Sequence, residues 1–190
     1  MKKLFRFLLK TILLVLILGI LFVQYLKSDL NNSFDKEQLN ELKEEIEKAE
    51  PISTEFIKVY ERVNPITNTN GILFDEIKEN YYRDCPCLNA ARLSFIKGKN
   101  RLTGNELVLA WKLEKEFTQK QCLSFYVEKH NFLYNNIGIN QASEYYFNKK
   151  LAELNFDQMA TLTLMIKNAV LYNPKRKPEG IKQKIAELKN

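Results

Sequence analysis

The chain has 190 residues, with 29 basic against 23 acidic side chains, one histidine and three cysteines. That length suits one domain plus an anchor, and a single histidine argues against a zinc site. Four of the basic residues (Lys2, Lys3, Arg6 and Lys10) precede the first apolar run, so the rest of the chain is close to neutral. This excludes a general polyanion binder, and no nucleic-acid partner is expected.

Thr11 to Leu26 carries no charge, and the apolar run reaches back to Leu8 if Lys10 extends its ammonium to the interface. The resulting stretch of about 19 residues is near the length needed to cross a bilayer core. The basic residues ahead of it put the N-terminus in the cytoplasm and the remainder outside. Gln24-Tyr25-Leu26-Lys27 lacks the small residues of a cleavage site. Residues 1–27 therefore read as a cytoplasmic stub and single-pass signal anchor.

Residues 28–50 read as a linker, Ser28–Phe34, followed by a charged helix over Lys36–Ala49 with Leu39, Leu42 and Ile46 on one stripe. Pro51 stops that helix. Ser53 or Thr54 caps the next one, which carries Phe56, Ile57, Tyr60 and Val63. Asn64–Gly71 has loop composition. Helical pieces are expected near Leu73–Tyr82 and Leu88–Ile96, with a turn at Lys97–Asn100. Further helices are predicted at Glu106–Phe117, from Thr118 to about Lys129, at Gln141–Phe147 and from Asn155 to Asn168. Pro178 opens a last one. Nothing alternates with period two, so the fold class is all-α with one core.

Cys85-Pro86-Cys87 and Cys122 form an odd set. Outside the cytoplasm, one of the first pair bridging Cys122 is one arrangement, and buried free thiols are the other. A bond within Cys-Pro-Cys would be strained.

The second half of the chain carries a series of spaced elements. Glu106, Leu109, Ala110, Leu113 and Glu114 fill E-x-x-L-A-x-x-L-E. Thr118, Gln119, Cys122, Leu123, Tyr126, Val127 and Glu128 follow S-K-x-x-I-L-x-x-Y-L-N loosely. Gly138, Ile139, Ala142, Ser143, Tyr146 and Phe147 fill G-I-x-x-A-(A/S)-x-x-Y-F. Leu151, Leu154 and Tyr172-Asn173-Pro174 complete the set. In this order the elements resemble glycosyltransferase family 51. The resemblance implies a lysozyme-like helical transglycosylase domain over residues 51–190, behind the single transmembrane helix. It also implies a location at the outer face of the bacterial inner membrane. The implied partners are that membrane, lipid II or glycan strands, and other cell-wall synthesis proteins.

The family reaction joins a sugar hydroxyl to an anomeric carbon as a polyprenyl diphosphate departs. A carboxylate base must reach the hydroxyl, and cations must take up the leaving charge. The resemblance implies three motifs for this: E-D-x-x-F-x-x-H-x-G, G-x-S-T-I-T-Q-Q and R-K-x-x-E. Counting from Ser53 puts Asn64 and Pro65 at the first acidic pair, and counting back from Gly71 puts Arg62 there. That leaves Glu61 as the one candidate base, and it equally suits an exposed helix carboxylate. The second motif overlays Pro86-Cys87-Leu88-Asn89-Ala90-Ala91 without its hydroxyls and glutamines. The third keeps Glu106, with Leu102 and Thr103 in the basic places. Thr103 and Glu106 also have the spacing of a capping box. Lys184 is the remaining basic candidate for substrate binding. No cofactor is expected, and a divalent metal is implied by the resemblance alone. The sequence thus carries a degenerate binding or scaffolding member, an active divergent glycosyltransferase, and a helical adaptor as competing readings.

Overall fold

The structure is a computed structural model and is described for residues 2–77, 83–94 and 96–189. Among these, ten α-helices and one 3-10 turn account for the regular structure. The two backbone bridges, Ile66 to Asp84 and Asn131 to Ile137, are isolated. The class is all-α, as the absence of period-two patterning predicts.

The helices are α1 (Lys2–Lys27), α2 (Lys36–Lys48), α3 (Thr54–Val63), α4 (Thr69–Ile77) and α5 (Pro86–Leu93). They continue with α6 (Glu106–Leu113), α7 (Gln119–Lys129), α8 (Ile139–Phe147), a 3-10 turn at Leu151–Glu153, α9 (Phe156–Asn168) and α10 (Pro178–Lys189). Most start where a local cap dictates. Ser53 accepts from the Phe56 N–H. Thr118 with Gln121, and Asn155 with Gln158, close reciprocal capping boxes.

Two apolar clusters meet on α7. Cys122 and Phe125 face a cluster built from α2, α5 and α6 with Leu26 and Phe34. Leu123 and Val127 face the other, built from α3, α8, α9 and α10. Having apolar residues on both faces leaves α7 without the single stripe that sequence periodicity detects. Helix α9 runs through the second cluster, with Met159 to Ile166 all buried. Its two buried hydroxyls donate within the helix, Thr161 to the Asp157 carbonyl at 2.7 Å and Thr163 to the Met159 carbonyl at 2.9 Å. The polar groups are thereby satisfied without an outside partner.

Several expectations are corrected. Helix α4 begins at Thr69, inside the stretch read as loop, where Thr69 is fixed by Glu114 just past the end of α6 and Asn70 by Trp111 of α6. The remainder of the expected Leu73–Tyr82 piece lies outside the described residues. Helix α6 ends at Leu113, four residues early, and turns at Lys115 and Glu116. The stretch 28–34 is no free linker. Asn31, Ser33 and Phe34 are buried, and Asn31 Nδ2 donates to the carbonyls of Leu26 and Thr103. Cys87 is bonded to Cys122, and Cys85 is a buried free thiol. The bridge closes a loop of 35 residues, for which the chain-entropy relation gives a stabilisation of about 4 kcal/mol.

Candidate functional site

Glu61 lies on the exposed side of α3, whose buried face packs on α9. Glu106 is the first residue of α6, exposed, on a helix that packs against α5, α1 and α4. The two carboxylates thus stand on elements of different apolar clusters. Neither makes a hydrogen bond or ion pair among the described residues. Lys184 on α10 is exposed and donates to Glu187 Oε2 at 2.8 Å. That bond, with the charge behind it, holds the Lys184 ammonium above its ordinary pKa.

The capping box expected at Thr103 and Glu106 is not formed. Asn105 caps α6 instead, its Oδ1 accepting from the Val108 N–H at 3.1 Å. The Thr103 hydroxyl lies on Asn100 Oδ1 at 2.9 Å and against Ser33 Oγ. Thr103 is therefore occupied elsewhere, and Glu106 keeps only the favourable interaction of an anion with a helix N-terminus.

The carboxylates that do collect partners are Glu114 and Asp84, which the motif reading left without a role. Glu114 Oε1 accepts from the Thr69 N–H at 2.7 Å, the Thr69 hydroxyl at 2.8 Å and Gln119 Nε2 at 2.8 Å. The Cys85 thiol adds a longer contact at 3.4 Å. Gln119 Oε1 in turn accepts from the Cys87 N–H at 3.0 Å. One oxygen thus ties the start of α4, the N-terminus of α5 and the start of α7 to the end of α6. Asp84 accepts from the Tyr60 hydroxyl through Oδ2 and from Asn89 Nδ2 through Oδ1. Its backbone pairs with Pro65 and Thr67. Both carboxylates hold helices together.

Burial displaces four titrating groups among the described residues, and one of them is Lys112, whose ammonium pKa it lowers below the ordinary value. The Cys85 thiol is pushed up to about 12, first by desolvation, so it stays protonated and unreactive at neutral pH. The Tyr146 phenol is raised to about 12, again first by desolvation; it donates to the Phe132 carbonyl at 2.7 Å. Burial lowers the pKa of His130, whose ring packs edge-on against Tyr126 and Phe132.

A cleft of about 890 Å³ lies between the α2–α3 connection, α7 and α8, lined among others by Glu50, Ser53, Glu128, Gln141 and Lys150. A smaller one of about 490 Å³ separates α2 from Leu93, Phe125 and Lys129. Neither contains Glu61, Glu106 or Lys184. Among the described residues no group of three His, Cys, Asp or Glu side chains is arranged to hold a metal ion.

The all-α frame and the ordered elements from Glu106 to Pro174 define a transglycosylase-type domain. The family model described as Transglycosylase matches residues 91–189, just over half of the chain, and the chain belongs to that family. It is 38% identical over 69 residues to penicillin-binding protein 2a of Streptococcus pneumoniae, a stretch covering 36% of this chain and 9% of the relative. It is 30% identical over 79 residues to penicillin-binding protein 1F of Bacillus subtilis, covering 42% and 11%. It is 28% identical over 81 residues to the biosynthetic peptidoglycan transglycosylase of Acinetobacter baylyi, covering 43% and 36%. The chain thus spans about a tenth to a third of the length of these relatives. Glu106 and Lys184 fall inside the matched segment, whereas Glu61 and most of α5 lie before it.

Proposed function

We propose that this chain is a membrane-anchored transglycosylase-family protein of cell-wall biogenesis. Its outer domain, residues 51–190, binds lipid II, glycan strands or other synthesis proteins and does not polymerise. In this reading the chain sits in the bacterial inner membrane with its N-terminus cytoplasmic, which the candidate span Lys3–Lys27 and the basic residues at its start support. The observation that carries the reading is the state of α5. The resemblance puts the hydroxyls and amides that hold the substrate at Pro86–Ala91. Five of these six side chains are buried, and Cys87 is bonded to α7. The polar one, Asn89, is engaged with Asp84. A segment so packed supplies no groups to stabilise a departing diphosphate.

The active reading keeps one observation in its favour. Glu106 is exposed, inside the family match, and its carboxylate is free among the described residues. Purified full-length protein in lipid nanodiscs, supplied with lipid II, separates the two readings. We expect retention of lipid II or glycan without new strands, from wild type and from Glu61→Gln and Glu106→Gln alike. Strands made by wild type and lost in either variant would establish the active enzyme.

A further inference from the structure

The connection between α7 and α8 runs through the left-handed region of the backbone. Leu133, Tyr134 and Asn135 have φ of 71°, 52° and 61° in succession. A Cβ opposes that conformation, and it is rare outside glycine and asparagine. The loop holds it with bonds of its own. Asn131 Oδ1 accepts from the Leu133 N–H at 2.9 Å, and Asn136 Nδ2 donates to the carbonyls of Leu133 and Tyr134 at 3.0 and 3.1 Å. The Gly138 N–H closes the base of the loop on the His130 carbonyl. What the strained backbone presents is the ring of Tyr134, 52% exposed. Strain of this kind clusters at ligand sites.

That ring lies 5.8 Å from the ring of Tyr145, tilted by 36°. Tyr145 is also exposed, and it is braced by Tyr146 at 4.9 Å and by Lys175 Nζ at 3.5 Å from its centroid. On α8, Gln141, Glu144 and Tyr145 stand at i, i+3 and i+4 and share a face. Gln141 and Glu144 line the cleft of about 890 Å³, as do Ile137 and Asn140, so the two open rings continue into it. The volume is within the range of ligand sites, about 300–1,000 Å³. The chemistry of this surface suits a sugar. The C–H face of a pyranose lies flat on the negative face of an aromatic ring. Its hydroxyl and acetamido groups both donate and accept, as asparagine and glutamine amides do. Asn135 and Asn140 are exposed, and their side chains make no hydrogen bond among the described residues. A proline-rich chain also seeks aromatic rings, but its prolines have no N–H to offer the amide oxygens.

We propose that Tyr134 and Tyr145, with the cleft beside α8, form a carbohydrate site for an oligosaccharide of N-acetylated pyranoses. Sugar rings stack on the two tyrosines, and the strand runs across Ile137 to the amides of Asn140 and Gln141. The site stands apart from Glu61, Glu106, Lys184 and Pro86–Ala91, none of which lines the cleft. It therefore grips a glycan away from any of the candidate reacting groups. The site rests on its geometry; that its ligand in the cell is a cell-wall glycan rests on the function proposed above.

The test is saturation-transfer NMR on the full chain in nanodiscs, with the β-1,4-linked tetramer of N-acetylglucosamine as probe. The probe carries neither lipid nor diphosphate, so it reports on the two tyrosines whether or not the chain polymerises. We expect saturation of its ring C–H and N-acetyl protons, and binding about tenfold weaker in Tyr134→Gly and in Tyr145→Ala. Tyr134→Gly relieves the left-handed backbone, so binding lost there is not a loss of fold. Tyr134→Phe keeps the ring and should bind as wild type does. A tetramer that wild type does not saturate, or that binds both weakened variants as tightly as wild type, would overturn the site. Retention of lipid II by the same sample would then leave the function proposed above standing. Conversely, strands made from lipid II by a chain whose tetramer binding needs both tyrosines would sink the non-polymerising reading and support the site. Decaproline that binds wild type but not Tyr134→Gly, with no binding of the tetramer, would assign the rings to a proline-rich partner and overturn the sugar.

Discussion

Glu114 receives both the main-chain N–H and the hydroxyl of Thr69 on a single carboxylate oxygen, at 2.7 and 2.8 Å. The two residues are 45 positions apart, and Gln119 and Cys85 share the same acceptor. Removing the acceptor leaves several part-buried donors unsatisfied, which costs more than the bond itself. Glu114→Ala should therefore lower stability by about 2–4 kcal/mol, and Thr69→Ala by about 1–2 kcal/mol. The double variant should fall short of the sum, as expected for residues that share a bond. Denaturant titration of the detergent-solubilised protein measures all three.

A comparable cost falls on Tyr60→Phe. It removes the hydroxyl that donates to Asp84 Oδ2 and leaves that oxygen part-buried without its partner. The expected loss is about 1–2 kcal/mol. Asp84→Asn adds donors where Tyr60 and Asn89 already donate, and it should cost at least as much in the same titration.

Much of this fold was legible from local spacing. Ser53, Thr118 and Asn155 cap their helices because the donors they satisfy lie three residues on, within reach of any reading of the sequence. Thr103 deceived for the complementary reason. Its hydroxyl is held by Asn100 and by Ser33, 70 positions away, and Asn105 stood ready as an alternative cap. The roles of Glu114 and Asp84 were hidden because their partners are distant in sequence. The motif match caught Glu114 as a letter without saying what it held.

His130 gives the stability a pH dependence. Burial lowers its pKa below 6.5, so the folded chain keeps the ring neutral where the unfolded chain protonates it. A depressed pKa contributes stability that is present above the unfolded value and lost as pH falls below it. Melting temperatures should drop between neutral pH and pH about 5, and the slope over that window should shrink in His130→Phe. An unchanged slope would place the dependence on other groups.

Cys85 acts in the opposite range. Its thiol titrates near 12 when folded against 9.0 in the ordinary case. Stability is unaffected below the lower value and falls as pH rises from there towards the higher one. At pH 8 an alkylating reagent should modify Cys85 only after denaturation, while Cys87 and Cys122 need a reductant first. Mass spectrometry of the labelled chain reads this directly.

Gly138 has φ +90°, and a Cβ there would lie 2.6 Å from the Glu128 carbonyl oxygen. Gly138→Ala should destabilise the chain by more than about 1 kcal/mol, because both the dihedral and the close approach oppose a side chain. The loss should appear as a lower denaturant midpoint with an unchanged slope.

Leu26 has a consequence for anyone who would handle the outer domain by itself. A fragment cut after Lys27 loses a buried member of the α5–α6 cluster and the charge that rests on Trp111. It also loses the Leu26 carbonyl that receives Asn31. Such a fragment would carry an apolar scar where the helix had been and would tend to self-associate. A foreign anchor spliced at the same point would have to reproduce the last turn of α1.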